Sequence, residues 1–478
     1  MTTHFVTNVI IANMAWEAVI GLEVHAHLST ATKIFCACST SFGAPPNTHI
    51  CPVCLGYPGA LPVLNCRAVE LSIRAAIATG CTVHERSVFA RKNYFYPDLP
   101  KGYQISQFDK PLATGGTIGN VRILRIHMEE DAGKSIHYGD VSYVDLNRAG
   151  TPLVEIVSEP DIRSAEEADA YLTRLRQILM YTGVCDGNME EGSLRCDANV
   201  SVRRPGEALG TRTEIKNLNS FRFLRSAIDF EIARQTAALE AGGVITQETR
   251  LYDPTTGETR PMRSKEEAHD YRYFPDPDLL PLIVSSTWIE EIAKSLPELP
   301  HVRAERYQRD FDLSPRDAEA LVTSRQLAEY FEAVAESSGN PRAAANWVRN
   351  EVLRIINEQK IELAGYRVTP ANLGQLIRLI DSGAIGGKSA KEVFDDMSVS
   401  GEDPAAIVER KGLGQISDPA VIRTAAQNVI ARNAVQVEQY RAGKTQLFGF
   451  LVGQLMKETR GKANAELANE ILRELLGS

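Results

Sequence analysis

The chain has 478 residues, more than one hydrophobic core usually supports, and its 44% hydrophobic and 24% charged content excludes a disordered chain, so we expect two to four folded domains. It has neither a basic leader with an apolar run nor an apolar stretch of about 18 residues, which predicts a soluble, cytoplasmic protein with no membrane contact. The net charge of −9 is concentrated before residue 300, whereas residues from 405 onward hold 10 basic and 7 acidic side chains, which permits a nucleic-acid contact there.

Strand-like runs and turns dominate the first 300 residues. Polar and apolar residues alternate over 19–28, which predicts a strand with Glu23, His25 and His27 on its polar face. The same alternation over 121–130 predicts a second strand. Its expected apolar face consists of Leu124, Ile126 and Met128.

Helical patterns interrupt these strands. Apolar residues at helical spacing predict helices over 66–79, 164–182 and 220–241. The sequence Asp-Pro-Thr-Thr-Gly supplies turn residues and predicts a hairpin over 251–260. We therefore expect an α+β fold with mainly antiparallel strand pairing in this half of the chain.

The apolar period becomes helical after the Leu-Pro-Glu-Leu-Pro segment at 296–300. Capping residues followed by proline mark several helix starts. The expected helices cover 315–337, 341–361, 369–382, 389–397, 403–411, 418–442, 445–460 and 464–476. Because the pattern breaks near 401–403, we divide the chain into an α+β domain (1–300), an all-α helical domain (301–403) and a small helical tail module (404–478).

Two pairs of closely spaced cysteines suggest a metal site. Cys36 and Cys38 are separated by twelve residues from Cys51 and Cys54, and two such pairs can supply the four tetrahedral thiolates of structural zinc. A closed site of this kind has no open coordination position, so its role would be structural. The other cysteines are expected to be small buried residues: Cys66, Cys81, Cys185 and Cys196.

Carboxylates and histidines recur at the ends of apolar runs in the same half of the chain. These runs lie at 21–27, 127–135, 152–159, 189–199 and 213–217. Carboxylates that converge from separate strands repel one another unless a cation lies between them. Because Mg²⁺ takes oxygen ligands and bridges to phosphates, the pattern predicts a site for a divalent cation and phosphate.

A loop over 91–107 combines cations, aromatic rings and amides, a mixture that can bind phosphate and stack a base. The candidate ATP contacts in it are Arg91, Lys92, Tyr94, Lys101, Gln104 and Ser106. A Walker-type phosphate loop is missing, because three Gly-Lys-Ser/Thr endings lack the required first glycine. ATP, if used, must be bound in another way.

Several long segments carry a specific resemblance to a known family. They lie at 21–25, 91–97, 145–156, 189–199, 271–277 and 449–457. Taken together, they closely resemble the B subunit of aspartyl/glutamyl-tRNA amidotransferases, over nearly the whole chain. The resemblance implies a cradle-shaped α+β catalytic domain, a helical domain and a small helical tail that touches the tRNA body.

The resemblance also implies an activity. Family members work in a heterotrimer with an amidase (glutaminase) partner, the A subunit, which releases ammonia, and with a small C subunit. The B subunit activates the side-chain carboxylate of misacylated Glu-tRNA(Gln), and often Asp-tRNA(Asn), with ATP and Mg²⁺ before amidation. The sequence leaves open which of these tRNAs is the substrate.

The family's metal site is carried over residue by residue. The implied core ligands, with catalytic roles, are Glu23, His25, Glu130 and Glu155, and the nearby ligands are Glu129 and Glu214. Strand parity instead favours Glu129 over Glu130 beside His127, so the choice between them stays open. The candidate tRNA contacts in the tail are Lys444, Lys457, Arg460 and Lys462.

Two other functions remain compatible with the sequence. One is a zinc-containing tRNA-binding protein without catalysis, in which the acidic clusters are structural ion pairs. The other is a metal-dependent hydrolase or nuclease, which would consume tRNA without an amidase partner.

Overall fold

The structure, a computed structural model, describes residues 16–262 and 271–477. These residues form two compact units, one that extends to Leu299 and one that begins at Pro300. The first is an α+β unit built on a mainly antiparallel sheet and the second is helical, so the predicted fold class is confirmed. No helix in the described ranges is long and apolar enough to cross a membrane.

The first unit contains the strands of the chain's described part. They are β1 (Glu17–His27), β2 (Thr82–Val83), β3 (Arg86–Ser87), β4 (Ala90–Asn93), β5 (Tyr103–Ser106), β6 (Ala113–Thr114), β7 (Thr117–Ile118), β8 (Val121–Glu130), β9 (Lys134–Tyr138), β10 (Val141–Asp145), β11 (Pro152–Ser158), β12 (Leu194–Arg203), β13 (Thr213–Lys216), β14 (Glu248–Asp253), β15 (Glu258–Pro261), β16 (Phe274–Pro275) and β17 (Leu282–Ile283). Its helices are α1 (Cys66–Ala78), α2 (Ala165–Tyr181), α3 (Phe221–Glu240) and α4 (Ser286–Ser295). The predicted hairpin is confirmed as β14 and β15, and the three predicted helices are confirmed as α1, α2 and α3.

The main sheet has the strand order β15-β14-β13-β12-β1-β11-β8-β6-β2, and β7 pairs with β8. Its pairs are antiparallel except β13 with β14. One face is apolar, because alternate residues of β1 such as Ile20, Leu22 and Val24 are fully buried in a core that includes α1, α2 and α3. The other face therefore carries the polar residues of the same strands.

Side-chain caps fix where the three helices that cover the sheet begin. Asn65 accepts hydrogen bonds from the first turn of α1, and Ser164 and Ser220 do the same for α2 and α3. These caps satisfy backbone N–H groups that have no partner inside a helix. The helices thus begin at defined residues, and their apolar faces pack on the sheet.

The predicted apolar face of β8 is wrong at one residue. Ile126 and Met128 are fully buried, but Leu124 is 42% exposed. The pairing of β8 with β11 shifts register at this point, since Val157 pairs with Arg125 and Ser158 pairs with Ile123. Leu124 is therefore the extra residue of a β-bulge, which simple alternation cannot predict.

A buried polar network ties α3 to the edge of the sheet. Glu231 in α3 is fully buried and accepts hydrogen bonds from Arg234 Nη2 (2.6 Å), Gln235 Nε2 (2.8 Å) and Thr259 Oγ1 (3.0 Å). Gln235 also donates to the backbone oxygen of Val200 in β12. Glu231 and Gln235 thereby connect α3 to both β12 and β15, and a buried charge with this many partners fixes their relative positions.

The second unit is helical. Its helices are α5 (Pro300–Phe311), α6 (Pro315–Leu321), α7 (Arg325–Ser338), α8 (Pro341–Trp347), α9 (Leu353–Gln359), α10 (Pro370–Asp381), α11 (Gly387–Ser400), α12 (Pro404–Lys411), α13 (Pro419–Arg432), α14 (Ala434–Arg441), α15 (Leu447–Glu458) and α16 (Ala465–Leu476). A π-helical turn, Val348–Val352, joins α8 to α9, as expected of one helix over 341–361. Two predicted helices are each split in two, at Ser324, which caps α7, and at Asn433.

The C-terminal helices have a core of their own. Helices α13, α15 and α16 bury Ile422, Leu451, Leu455 and Leu472 together with one residue of α14. Helix α12 instead packs against α10 and α11. The boundary at 403 between a helical domain and a tail module stays a prediction.

Candidate functional site

Polar residues of four neighbouring strands form a row across the polar face of the sheet. Arg195 in β12 pairs with His25 in β1, which pairs with Glu155 in β11. Glu155 in turn pairs with His127 in β8. Because paired residues in an antiparallel sheet point to the same face, four ionisable side chains meet side by side.

The centre of this row is a tight group of nitrogen and oxygen atoms. Glu155 Oε2 lies 3.3 Å from both His25 Nε2 and His127 Nε2, and His127 Nε2 lies 3.2 Å from Glu129 Oε1. One ligand atom each from His25, Glu129 and Glu155 lies within 4.8 Å of the other two. A histidine and two carboxylates at this separation can bind a divalent cation.

The charges in this group depend on one another. Burial opposes the charged form of His127, but the charge of Glu155 and a hydrogen bond to Glu129 outweigh it and raise the pKa of His127 to about 9. Despite burial, the two histidines hold the pKa of Glu155 well below its usual value. The carboxylates therefore stay ionised because positive charge lies between them, and a bound metal ion would supply such charge.

Glu23 lies at the edge of the group, and the charge of Lys216 offsets only part of the rise in its pKa. It accepts a hydrogen bond from Asn199 Nδ2 (2.9 Å). Burial, followed by the charges of Glu155 and Glu214, raises the pKa of Glu23. Glu214 is bonded to Lys216 Nζ at 2.8 Å and to Thr249 at 2.7 Å. A carboxylate placed beside two others fits a site for a divalent cation.

The structure brings Glu129, and not Glu130, to the histidines. Glu130 Oε1 forms an ion pair with Lys101 Nζ and accepts a hydrogen bond from Ile105 N (2.9 Å). It lines a cavity of about 400 Å³ whose other walls include Lys101 and Cys54. The carboxylate beside His127 is therefore that of Glu129, as strand parity predicts.

Four of the six predicted ATP contacts adjoin the group. Gln104 Nε2 and Ser106 Oγ donate to Glu129 at 3.0 and 2.5 Å, and Tyr94 Oη donates to Gln104 at 3.1 Å. Burial opposes the charge of Lys92, but Glu129 and its neighbours outweigh it and raise the pKa of Lys92. Lys92 is thus a fixed cation beside the carboxylates.

The other two predicted ATP contacts already have partners elsewhere. Arg91 binds Asp276 at 2.7 Å and Asp278 at 2.8 Å, and its guanidinium lies 4.2 Å from the ring centre of Tyr103. Lys101 pairs with Glu130, as described above. The structure therefore does not bring these two cations to the group.

An aromatic cluster stands beside Lys92. The ring centres of Tyr94 and Tyr271 are 6.0 Å apart, as are those of Tyr271 and Tyr273, and Tyr273 stacks on Phe108 at 4.3 Å. The pairing of β16 with β4 brings residues 271–274 to this place. Sequence reasoning assigned no role to Tyr271 and Tyr273, although the repeated aromatic residues over 271–274 were a signal.

Two cations on the polar face were also missed. Arg195 and Lys216 lie in β12 and β13, and Lys216 Nζ binds Asp197 at 2.7 Å as well as Glu214. The alternation of β12 could have placed Arg195 on the polar face. Its pairing with β1, about 170 residues earlier in the chain, is not visible in a single sequence.

The four closely spaced cysteines come together in the first unit. Their sulfur atoms all lie within 4.8 Å of one another, a set that could hold a metal such as zinc: Cys36, Cys38, Cys51 and Cys54. A hydrogen bond from Cys36 lowers the pKa of Cys54 to about 4, and the charge of Lys33 acts in the same direction. Four sulfur donors at this separation suit a tetrahedral ion with Zn–S bonds near 2.3 Å.

The remaining cysteines are outside this group. Cys81, Cys185 and Cys196 are buried, as predicted. Cys66 is exposed at the start of α1, so the prediction that it is buried is wrong. Cys66 is the first residue of α1, and Arg67 beside it is exposed as well, so burial begins only at Ala68.

The four predicted tRNA contacts are exposed side chains around α15. They are Lys444, Lys457, Arg460 and Lys462. None of them forms an ion pair within the described ranges. Cations without a carboxylate partner are available to contact phosphates.

Two family models match the chain. The one described as "GatB/GatE catalytic domain" matches residues 18–290, and the one described as "GatB domain" matches residues 329–476. Proteins named as the B subunit of aspartyl/glutamyl-tRNA(Asn/Gln) amidotransferase are similar over 97% of this chain and 100% of their own length: 58% identical in Persephonella marina, and 57% in Geotalea daltonii and Geobacter sulfurreducens. The chain therefore belongs to the family of aspartyl/glutamyl-tRNA(Asn/Gln) amidotransferase B subunits.

Proposed function

We propose that this chain is the activating component of a tRNA-dependent amidotransferase. It uses ATP to phosphorylate the side-chain carboxylate of Glu-tRNA(Gln), Asp-tRNA(Asn) or both, and the activated carboxylate is then converted into an amide. The observation that carries the proposal is the meeting of His25, Glu129 and Glu155 within 4.8 Å, with Lys92 beside them. The names of the relatives support the substrate class.

The chemistry requires an activated carboxylate, because ammonia cannot displace an oxide ion. In the first step a carboxylate oxygen bonds to the terminal phosphorus of ATP, and the bond from phosphorus to ADP breaks with its electron pair on ADP. In the second step ammonia bonds to the acyl carbon, and phosphate leaves with the spare proton. Both steps need anionic groups held close together, which is a task for positioning and electrostatics.

The donor set fits Mg²⁺. Glu23, His25, Glu129 and Glu155 would hold the ion, with Glu214 nearby, while Glu130 remains paired with Lys101. When bound, Mg²⁺ neutralises and orients phosphoryl oxygens. The raised pKa of Glu23 supports this assignment, because it results from burial and from the charges of Glu155 and Glu214, and a bound cation would offset both.

The chain's own residues would position the nucleotide and the substrate. Lys92 supplies a fixed positive charge for a phosphate, and Gln104 and Ser106 hold Glu129 in one orientation. Tyr94 and Tyr271 offer ring faces on which a base can stack. This arrangement replaces the phosphate loop that the sequence lacks.

The partners follow from the reaction. Ammonia must come from an amidase (glutaminase) partner, the A subunit, that hydrolyses glutamine or asparagine, and a small C subunit completes the proposed heterotrimer. Because misacylated tRNA is used in protein synthesis, we place the complex in the cytoplasm. The four-cysteine group would hold zinc as a structural ion, apart from the reacting groups.

The direct test is the formation of ADP by the purified chain. With ATP, Mg²⁺ and Glu-tRNA(Gln) or Asp-tRNA(Asn), we expect ADP release that depends on the aminoacyl group. Deacylated tRNA is the matched control and should give only background. No ADP release with either charged tRNA, in the complex with its partners, contradicts the proposal and favours a non-catalytic tRNA-binding protein. ADP release that does not depend on the aminoacyl group also contradicts the proposal. Degradation of the tRNA would instead indicate a nuclease.

The second expectation concerns the tail. Replacing its four exposed cations with alanine should raise the KM for charged tRNA about tenfold or more and leave the KM for ATP unchanged, because phosphate contacts position the tRNA body. The changed residues are Lys444, Lys457, Arg460 and Lys462. The slope of the logarithm of the tRNA-binding constant against the logarithm of the salt concentration should become shallower by roughly one unit or less per lost contact.

A matched control is available in α11. Lys388 is exposed in the same unit, and its replacement with alanine should change neither KM. An unchanged KM for tRNA across a salt series in the quadruple variant would show that the tail only packs within its unit.

A further inference from the structure

The buried carboxylate of Asp131 lies beside the row of polar residues and contacts His27, Arg148 and Arg195. Asp131 Oδ2 accepts hydrogen bonds from His27 Nε2 (2.6 Å) and Arg195 Nη2 (2.7 Å), and Arg148 Nε lies 3.4 Å away. Asp131 Oδ1 accepts a bond from Ala132 N (2.9 Å). Two arginines for one carboxylate leave positive charge beside the carboxylates of the row.

Arg148 and Arg195 differ in how they are satisfied. Arg148 also donates to the backbone oxygens of Ala132 and Gly133, at 3.0 and 2.6 Å. Arg195 is held through Nη2, whereas its Nε is buried and has no hydrogen-bond partner among the described residues. A buried donor without a partner costs free energy, so it favours an acceptor that comes from outside the chain.

The position of Arg195 brings it close to the reacting groups. It is the register neighbour of His25, and its side chain is 32% exposed. The charge of Glu129 acts on Arg195, and the charge of Arg195 acts on His25. The guanidinium is thus anchored at one end by Asp131 and lies next to the group of His25, Glu129 and Glu155.

We propose that Arg195 is a further catalytic residue whose guanidinium contacts the oxyanion of the reacting group, and that Asp131 is the residue that positions it. This inference rests on the proposed function. In the transfer, the carboxylate oxygen bonds to phosphorus while the bond to ADP breaks, and negative charge spreads over the phosphoryl oxygens. Arg195 donates N–H groups to these oxygens and loses no proton. A planar guanidinium suits this task better than an ammonium group does.

The test uses the complex with its partners and three substitutions. Arg195→Ala should lower kcat for aminoacyl-dependent ADP release by about 100-fold or more and change the equilibrium Kd for ATP by less than about threefold. Added guanidinium ion should restore part of the activity. Arg195→Lys keeps the ion pair with Asp131, and its kcat should still fall by about tenfold. Asp131→Asn should lower kcat without rescue by guanidinium.

A control on the same strand separates catalysis from strand stability. Arg203 in β12 binds Glu17 at 2.7 Å, and Arg203→Gln should leave kcat unchanged. A fully active Arg195→Lys variant, or an Arg195→Ala variant whose loss follows its lower Tm and is not rescued by guanidinium, overturns the assignment. If the unchanged complex releases no ADP that depends on the aminoacyl group, the proposed function fails; if it does and the Arg195 variants match it, only this inference fails.

Discussion

Replacing Glu155 with glutamine should abolish tRNA-dependent ATP hydrolysis and amide formation, while glutamine hydrolysis by the amidase partner remains detectable. Glu155 Oε2 lies 3.3 Å from both His25 Nε2 and His127 Nε2, at the centre of the group. Glutamine keeps the shape but removes the charge that a divalent cation needs. We expect ADP release to fall by about 1,000-fold or more.

A second measurement reports on the same change without catalysis. The charge of Glu155 is the largest factor that raises the pKa of His127 to about 9 against the effect of burial. In the glutamine variant this pKa should fall, so the imidazole should lose its proton at a lower pH in an NMR titration. The titration shows whether Glu155 and His127 are coupled even if the variant is inactive.

The control for this variant lies at the far end of β1. Glu17 binds Arg203 and Arg163, outside the group, and Glu17→Gln should leave ADP release unchanged. Near-normal ATP turnover in Glu155→Gln would show that Glu155 does not hold the metal ion. A loss of glutamine hydrolysis as well would instead indicate damage to the whole complex.

The polar face of β1 could be predicted because its signal is local. Alternation over 19–28 indicates that Glu23, His25 and His27 share a face, and burial of their neighbours confirms it. The same rule favours Glu129 beside His127, whereas the residues carried over from the family as core ligands included Glu130. Strand parity follows from the backbone alone, and at the end of β8 the structure agrees with it: Glu129 lies beside His127, whereas Glu130 pairs with Lys101.

The neighbours of β1 could not be predicted from the sequence. Glu155 and Arg195 meet His25 through pairings of residues about 130 and 170 positions apart, and nothing local sets their register. The bulge at Leu124 has the same origin, because it depends on how β8 meets β11. Long-range pairing therefore decides which carboxylates and cations share the site. The register of such pairings cannot be predicted from one sequence by local patterns.

The candidate ATP contacts show a related limit. Composition placed Arg91 and Lys92 in one phosphate-binding loop, but consecutive strand residues point to opposite faces. Arg91 accordingly binds Asp276 and Asp278, while Lys92 faces the carboxylates. A cation near an expected site is therefore a candidate only if its strand parity also matches.

Replacing Cys51 with serine should release a tightly bound zinc ion and destabilise the first unit. The sulfur atoms of Cys36, Cys38, Cys51 and Cys54 lie within 4.8 Å of one another, and all four are free thiols in a buried or half-buried setting. Without an ion, thiolates at this separation repel one another, so binding zinc also stabilises the fold. Structural zinc can contribute on the order of 10 kcal/mol of folding free energy.

We expect about one zinc ion per chain by elemental analysis of freshly purified protein. The Cys51→Ser variant should lose most of this zinc and unfold at a lower Tm, and a chelator should lower the Tm of the unchanged chain in the same direction. Cys66→Ser is the matched control, because Cys66 is exposed and outside the group. Protein made with zinc available that contains none would contradict the assignment. A variant that keeps its zinc would show that the other three cysteines are sufficient. Because a closed four-thiolate site has no open coordination position, loss of zinc should lower activity only as far as it unfolds the first unit.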